Sequence, residues 1–420
     1  MSDAVHAREF VDVPCPFCGL LCDDLRVEVA KDAATVIANG CARSRAMFAG
    51  NAQATASALV DGRPADLASA IGHAARILRA ARQPLLLSAG TDVAGMRVLI
   101  ELAERSGGII DHANGEALSR NLRVLQDTGW ISTTLTEIRN RADLLVVAGT
   151  DITSRFPRFF ERCFGDFDRL FETGTRELWF LGGAPDDLPA ALRKRTKSLS
   201  IEPTRLAEFF NALHALLAGR ALTANAVAGV PIEKLSALLE RIRAARYGVL
   251  TWAAADLAFP HADLAIQSMC ELVRALNAQS RFCVLPLGGS DGDLTAMQVT
   301  TWQTGFPIRV NFSSGAPAQD SVRPLGLRGE ADALLFVSAL DTARTPPATG
   351  TPSIVLGRPG IRADGCSVFI PVSVPGLHHT GHLYRADNVV AIHLRKLTGS
   401  ALPSAAQALQ RILDAMKEPH

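Results

Sequence analysis

Residues 84–112 read PLLLSAGTDVAGMRVLIELAERSGGIIDH. Leu85–Leu86–Leu87 is a run apolar on every residue, which fits a strand covered on both faces. Thr91 and Asp92 supply a polar start for a helix, and the apolar positions of VAGMRVLIELAERS recur at helical spacing. Gly107 and Gly108 end that helix, because glycine takes the left-handed turn at no steric cost. GIID then gives a second short strand. Strand, helix and strand in fewer than thirty residues predict a parallel βαβ unit.

The alternation continues on both sides. DLASAIGHAARILRAA (66–81) predicts a helix capped by Asp66. DLLVVAG, ELWFLGG and SLSIEP predict three more strands up to residue 203. From about 205 the helices RLAEFFNALHALLAG and IEKLSALLERIRAAR lead to the strand in YGVLTWAAAD. A helix over 263–277 leads to RFCVLPLGG, and ADALLFVSAL, PSIVLG and SVFIPV follow as short apolar strands. SAAQALQRILDAMK closes the chain as an amphipathic helix. Residues 1–55 differ: LRVEV and TVIAN flank an acidic turn at Lys31–Asp32, and ARSRAMFAGN reads as a short helix. The expected class is α/β, parallel sheets with covering helices plus a small N-terminal β-rich module. The expected division is 1–55, 56–204, 205–400 and a C-terminal helix at 401–420. TARTPPATGTP (342–352) is the most loop-like piece.

The 420 residues are 48% hydrophobic and 20% charged, enough to bury a sizeable core. Forty-three basic and 42 acidic residues leave a net charge of +1, so no field steers the chain to nucleic acid or an anionic membrane. No apolar run is long enough to span a bilayer. The acidic start MSDAVHAREFVDV has no secretory h-region, which predicts a cytoplasmic protein.

Four cysteines stand close together near the N-terminus: Cys15, Cys18, Cys22 and Cys41, spaced C-x2-C-x3-C-x18-C. Three within eight residues can aim their sulfurs at one point, and a fourth arriving beyond a hairpin can close the cage. Thiolates so spaced hold zinc or an iron–sulfur cluster, or survive as a vacated thiol set. A disulfide framework does not fit a long chain with its own core. Cys163, Cys270, Cys283 and Cys366 sit in apolar runs and are expected as buried small hydrophobes. Asp23–Asp24, directly after Cys22, either tune a cluster or cap a turn; the turn is preferred.

Other motifs are less specific. The chain has neither G-x-G-x-x-G after a strand nor G-x4-G-K-[ST]. LGGAPDD and LGGSDGD are glycine turns at strand ends, suited to turning the chain first and to phosphate second. VPGLHHTGHLYRAD carries His378, His379 and His382, a spacing open to zinc, but no local carboxylate or thiolate matches it, so a polar loop is preferred. There is no G-x-S-x-G elbow, no H-x-x-E-H, and no paired carboxylates that read as acid and base.

Several stretches together resemble the B subunit of formylmethanofuran dehydrogenase: CPFCGLLCDDLRVEV, IELAERSGGIIDHANGEALSRNLRVLQDTGW, EIRNRADLLVVAGTDITSRFPRFF, TWQTGFPIRVNFSSGAP and HLYRADNV. They span residues 15 to 390. The C-x2-C-x3-C spacing likewise resembles the [4Fe–4S] site that opens molybdopterin- and tungstopterin-dependent oxidoreductases. The resemblance implies a molybdopterin-oxidoreductase-like fold. In that family a cysteine or selenocysteine binds the metal, with a histidine beside it. Counting back from Leu125–Gln126–Asp127, those places fall on Ala117 and Leu118, which can neither ligate a metal nor carry a proton. His112 falls too early. Arginines expected after TWQTGFP are missing from NFSSGAPAQ. No tungstopterin or molybdopterin is therefore expected.

This pattern is similar to the B subunit of bacterial formyltransferase/hydrolase complexes of one-carbon metabolism. The implied role is a non-catalytic structural subunit. Its implied partners are an amidohydrolase-type subunit that releases formate, a formyltransferase subunit and a further subunit. Two alternatives stay open: an active tungsten or molybdenum dehydrogenase subunit, and an iron–sulfur electron-transfer module.

Overall fold

In the computed structural model the described residues are 7–31, 33–50, 57–171, 174–320 and 331–417. Asp32 of the predicted acidic turn lies outside them. Two compact units are present, and they do not follow chain order: one comprises Met1–Gly115 with Gly289–His420, the other Glu116–Gly288.

The first unit is built on a sheet whose central strands are parallel, in the order Ile109–His112, Leu85–Ser88, Leu334–Ser338, Ser353–Gly357, Val368–Pro371. Short antiparallel strands extend both edges: Val310–Asn311 and Ala318–Gln319 on one side, Ala58–Val60 and Arg63–Ala65 on the other. The four residues Leu85–Ser88 are all buried, as are Ile109–His112 and Leu334–Ser338. The helix Val93–Ser106 begins at Asp92, whose side chain accepts the Gly95 N–H, and ends at Gly107 with φ of 63°. Asp66 caps Leu67–Ala80 in the same way. The C-terminal helix Ala405–Lys417 packs on both these helices, so it is part of this unit rather than an appendage. The N-terminal module is a three-stranded antiparallel sheet, Arg8–Val13, Leu25–Ala30 and Ala33–Ala38, followed by the helix Ala42–Ala49.

The second unit holds a five-stranded parallel sheet ordered Thr196–Leu199, Glu177–Leu181, Leu144–Ala148, Gly248–Trp252, Phe282–Pro286. Its core gathers Leu144, Val146, Trp179, Phe209, Phe210, Leu238, Trp252, Ile266 and Met269.

The mixed α/β class with parallel sheets and covering helices is the one expected. The boundary expected at 204/205 is not where the chain divides, because strands on both sides of it share this one sheet. Likewise Leu334–Ser338 and Leu85–Ser88 fall in different expected domains, yet the two pair directly. Hydrophobic periodicity specifies a strand but not its neighbour. No helix among the described residues is long and apolar enough to cross a membrane.

Gly289 shows how tightly the first unit is assembled. Its φ is +86°, and a Cβ there would lie 2.7 Å from the Gly19 Cα of the cysteine loop. Gly219 has a similar φ of +74° but open space around it. Gly219→Ala should cost only the backbone strain, on the order of 1 kcal/mol. Gly289→Ala should cost clearly more in urea unfolding, because backbone meets backbone there. Equal losses would contradict this packing.

Candidate functional site

The loop between the first two N-terminal strands carries three of the four cysteines. It is folded back on itself: the Cys15 N–H donates to the Cys22 carbonyl (2.8 Å) and the Leu21 N–H to the Cys18 carbonyl (3.2 Å). Leu21 adopts a positive φ of 45° to make this turn. The fourth, Cys41, caps the helix Ala42–Ala49, its Sγ accepting the Ser44 N–H at 3.4 Å. Cys15, Cys18 and Cys22 are buried and Cys41 is half-buried. Burial pushes the Cys15 thiol well up, and Cys18, Cys22 and Cys41 push it further, so all four share one neighbourhood. Burial also raises Cys18, against the opposing charge of Arg43. None of the eight cysteines forms a disulfide, and the other four are buried. As placed, no group of three or more His, Cys, Asp or Glu among the described residues is arranged as a metal-binding set.

The loop is anchored from beneath. Phe17 packs edge-on against the fully buried Phe48, centroids 5.2 Å apart. The buried Arg358 lies over the Phe17 ring and donates to the carbonyls of Met47 (2.6 Å) and Leu340 (3.2 Å). Asp23 and Asp24 lie in coil just before Leu25–Ala30, and the Asp24 carbonyl accepts from Asn39 Nδ2 at 2.8 Å. That is a backbone role, compatible with the turn.

The three histidines of VPGLHHTGHLYRAD do not act together. His378 Nδ1 accepts the Val374 N–H (3.1 Å), and burial pushes this ring down to about 4. His379 Nδ1 lies 3.0 Å from Ser373 Oγ. His382 points outward from the strand Gly381–Tyr384, opposite His393, which the sequence did not flag.

The two glycine turns differ as well. Gly182 and Gly183 of LGGAPDD line a cleft of about 360 Å3 with Gly149, Thr150, Asp151 and Pro203, beyond the C-terminal ends of two parallel strands. LGGSDGD instead supplies Asp291 and Asp293 to a buried polar cluster.

That cluster was not legible as a motif. His112 ends the strand Ile109–His112. Its Nδ1 accepts the Asn114 N–H (2.9 Å), which leaves Nε2 as the donor to the Asp291 carbonyl at 3.0 Å. Asn114 Nδ2 donates to Asp293 Oδ2 (3.1 Å), and Arg344 donates to Asn114 Oδ1 (3.1 Å) and Asp291 Oδ2 (2.8 Å). Burial raises Asp291 and raises Asp293 to about 6, while it lowers His112 to about 4. Beside this network, Arg309 and Asp111 form a buried pair at 3.0 Å. Gly115 is required there, since a Cβ would come within 2.3 Å of Asp111 Oδ1. Arg309 stands in IRVN, just ahead of the arginine-free stretch NFSSGAPAQ. Its charge is held by Asp111 inside the fold, where it cannot meet a dissolved anion.

Ala117 and Leu118 lie in the first turns of the helix Gly115–Asp127, Ala117 half-buried against the second unit's core and Leu118 buried.

The His112 environment gives a pH signature. Its folded value of about 4 lies below the ordinary 6.5, so the fold is favoured above 6.5 and that advantage is lost as pH falls through 4. Asp293 acts in the opposite sense, because its raised value makes ionisation unfavourable in the fold as pH climbs towards 6. Comparing wild type with His112→Gln isolates the histidine. Their stability difference should grow by on the order of 3 kcal/mol from pH 4 to pH 6.5. A difference independent of pH would contradict a neutral buried ring.

No family model matches the chain. It is 29% identical over 416 residues to the B subunit of the tungsten-containing formylmethanofuran dehydrogenase 2 of Methanocaldococcus jannaschii, covering 92% of this chain and 93% of that one. It is also 29% identical over 385 residues to the B subunit of the formyltransferase/hydrolase complex Fhc of Methylorubrum extorquens, covering 86% and 98%. Among solved structures, the crystal structure of that organism's formyltransferase/hydrolase complex FhcABCD with methylofuran contains a chain superimposing with a TM-score of 0.73 at 28% identity, covering 86% and 98%. The chain is thus, over nearly its whole length, a homologue of the formylmethanofuran dehydrogenase B subunit and of its counterpart in the formyltransferase/hydrolase complex.

Proposed function

We propose that this chain is the B subunit of a cytoplasmic formyltransferase/hydrolase complex and performs no redox chemistry of its own. The complex handles a formyl group carried on methanofuran or an analogue. A formyltransferase subunit exchanges that group with a pterin carrier, and an amidohydrolase-type subunit cleaves the formamide with water to release formate. The B subunit, with a further subunit, scaffolds those two. Its fold is read as that of the molybdopterin oxidoreductases, without their pterin.

One observation carries this reading. Where the resemblance places a metal ligand and its neighbouring histidine, the chain has Ala117 and Leu118, aliphatic side chains built into a helix. The engaged charge of Arg309 supports it, since a pterin phosphate or anionic substrate would need an available cation. The tungsten-containing relatives match at least as much of the chain, so overall similarity does not separate an active dehydrogenase from a structural subunit, and the reading rests on these local positions.

The chemistry of Cys15, Cys18, Cys22 and Cys41 fits zinc or an iron–sulfur cluster. The Cys15 thiol, pushed up by burial and by the neighbouring cysteines, is what a cation would relieve, because it favours the thiolate that burial disfavours. Such a group would be structural here, tying the loop 14–24 to the helix after Cys41. An electron-transfer use of the same cluster is the less supported reading, as nothing among the described residues beside it reads as a redox partner site.

Two outcomes test this. Co-expressed with the hydrolase- and transferase-type subunits of its own source, the chain should co-purify with both. An isolated chain that stays soluble and monomeric and captures neither would remove the scaffold reading. In the assembled complex, Cys18→Ser should lower thermal stability yet leave formate release per complex within about twofold, since a structural metal contributes to folding. Normal assembly with abolished hydrolysis would contradict it.

A further inference from the structure

The hairpin of Gly381–Tyr384 and Ala391–Leu394 has two distinct faces. Leu383 and Leu394 point inward and pack with Leu340 and with Leu21 of the cysteine loop. On the outer face His382 and His393 are direct cross-strand partners and are exposed. His382 Nε2 lies 3.3 Å from His393 Nδ1, with the rings 4.9 Å apart and tilted by 57°.

That separation is informative. Without an ion the two rings share one long hydrogen bond, one nitrogen donating to the other's lone pair, and the same spacing suits a shared cation. A tetrahedral zinc ion about 2.0–2.1 Å from each of two imidazole nitrogens holds them about 3.3–3.4 Å apart. The antiparallel register fixes both Cα positions, so little rotamer freedom is lost on closing around an ion. His378 takes no part, because its Nδ1 accepts the Val374 N–H and the proton of the neutral ring is then on Nε2, and His379 lies outside the paired strands of the hairpin.

We propose that His382 and His393 form a surface site for a divalent transition-metal ion, best matched to zinc, with water in the remaining positions. The site is separate from the four cysteines, and it does not depend on the assignment of the chain to a complex. Each imidazole gives a neutral nitrogen lone pair, no electron is transferred, and the ion exchanges two waters for two nitrogens.

The test is zinc titration of the full chain, desalted of loosely bound metal and carrying carbon-13-labelled histidine, followed by NMR. The ten histidines make assignment by His382→Gln and His393→Gln practical. Two ring signals, those of His382 and His393, should shift together and saturate at one ion per pair. Either substitution should weaken the remaining ring's response at least about tenfold, since losing even a group that merely orients a ligand costs about 10–100-fold. Both residues are exposed, and circular dichroism of the variants checks that they fold. If zinc is taken up while these two signals stay in place, the ion has gone to the cysteines alone and the proposal fails. It fails equally if the remaining histidine responds with unchanged affinity.

Discussion

The strand Leu85–Ser88 is the constraint on which the architecture depends. It is buried throughout, so each of its backbone polar groups must find a partner inside the protein. One edge is satisfied by Ile109–His112, which follows directly by a βαβ crossover. The other is satisfied only by Leu334–Ser338, about 250 residues further on: the Leu85 N–H donates to the Ala333 carbonyl at 2.8 Å and the Ala89 N–H to the Val337 carbonyl at 2.7 Å. Between these two events the chain builds a complete second unit with its own five-stranded sheet. The first unit is therefore discontinuous by necessity, and its strands, caps and C-terminal helix form one core although they come from both ends of the chain.

The same closure determines what the polar groups can do. Residues at the end of Ile109–His112 meet the glycine turn 289–293 and the loop that carries Arg344. They form a satisfied network in which the guanidinium of Arg344 faces Asp291 and that of Arg309 faces Asp111. Removing either Arg309 or Asp111 would strand a buried charge, which is costly. A network so engaged stabilises one packing arrangement.

Much of this was legible in the sequence. Asp66, Asp92 and Gly107 act as caps where their residue types predicted, and the apolar runs became strands with few shifts, because both signals are local. Spacing plus one hairpin suggested a cage of four cysteines; three lie on one loop and the fourth caps the helix after the hairpin, but as placed no three of them form a metal-binding set. What was missed is non-local. The choice of Leu334–Ser338 as a neighbour depends on long-range pairing that periodicity does not encode. His112, Asn114, Asp291, Asp293 and Arg344 look unremarkable singly and acquire meaning only when three segments meet. His393 sits eleven residues from His382 and is its partner by strand register alone. Arg309 escaped notice although it closely follows TWQTGFP, because the arginine was sought in NFSSGAPAQ just beyond it.

The central claim is that the chain shares the fold of its relatives and holds no tungsten, molybdenum or pterin. The most direct measurement is the tungsten, molybdenum and pterin content of the complex purified from its own source. The account predicts that none is present in stoichiometric amount, whatever iron or zinc accompanies the cysteines. Tungsten or molybdenum near one per chain, together with a pterin, would contradict it and return Ala117 and Leu118 to the status of a misplaced alignment.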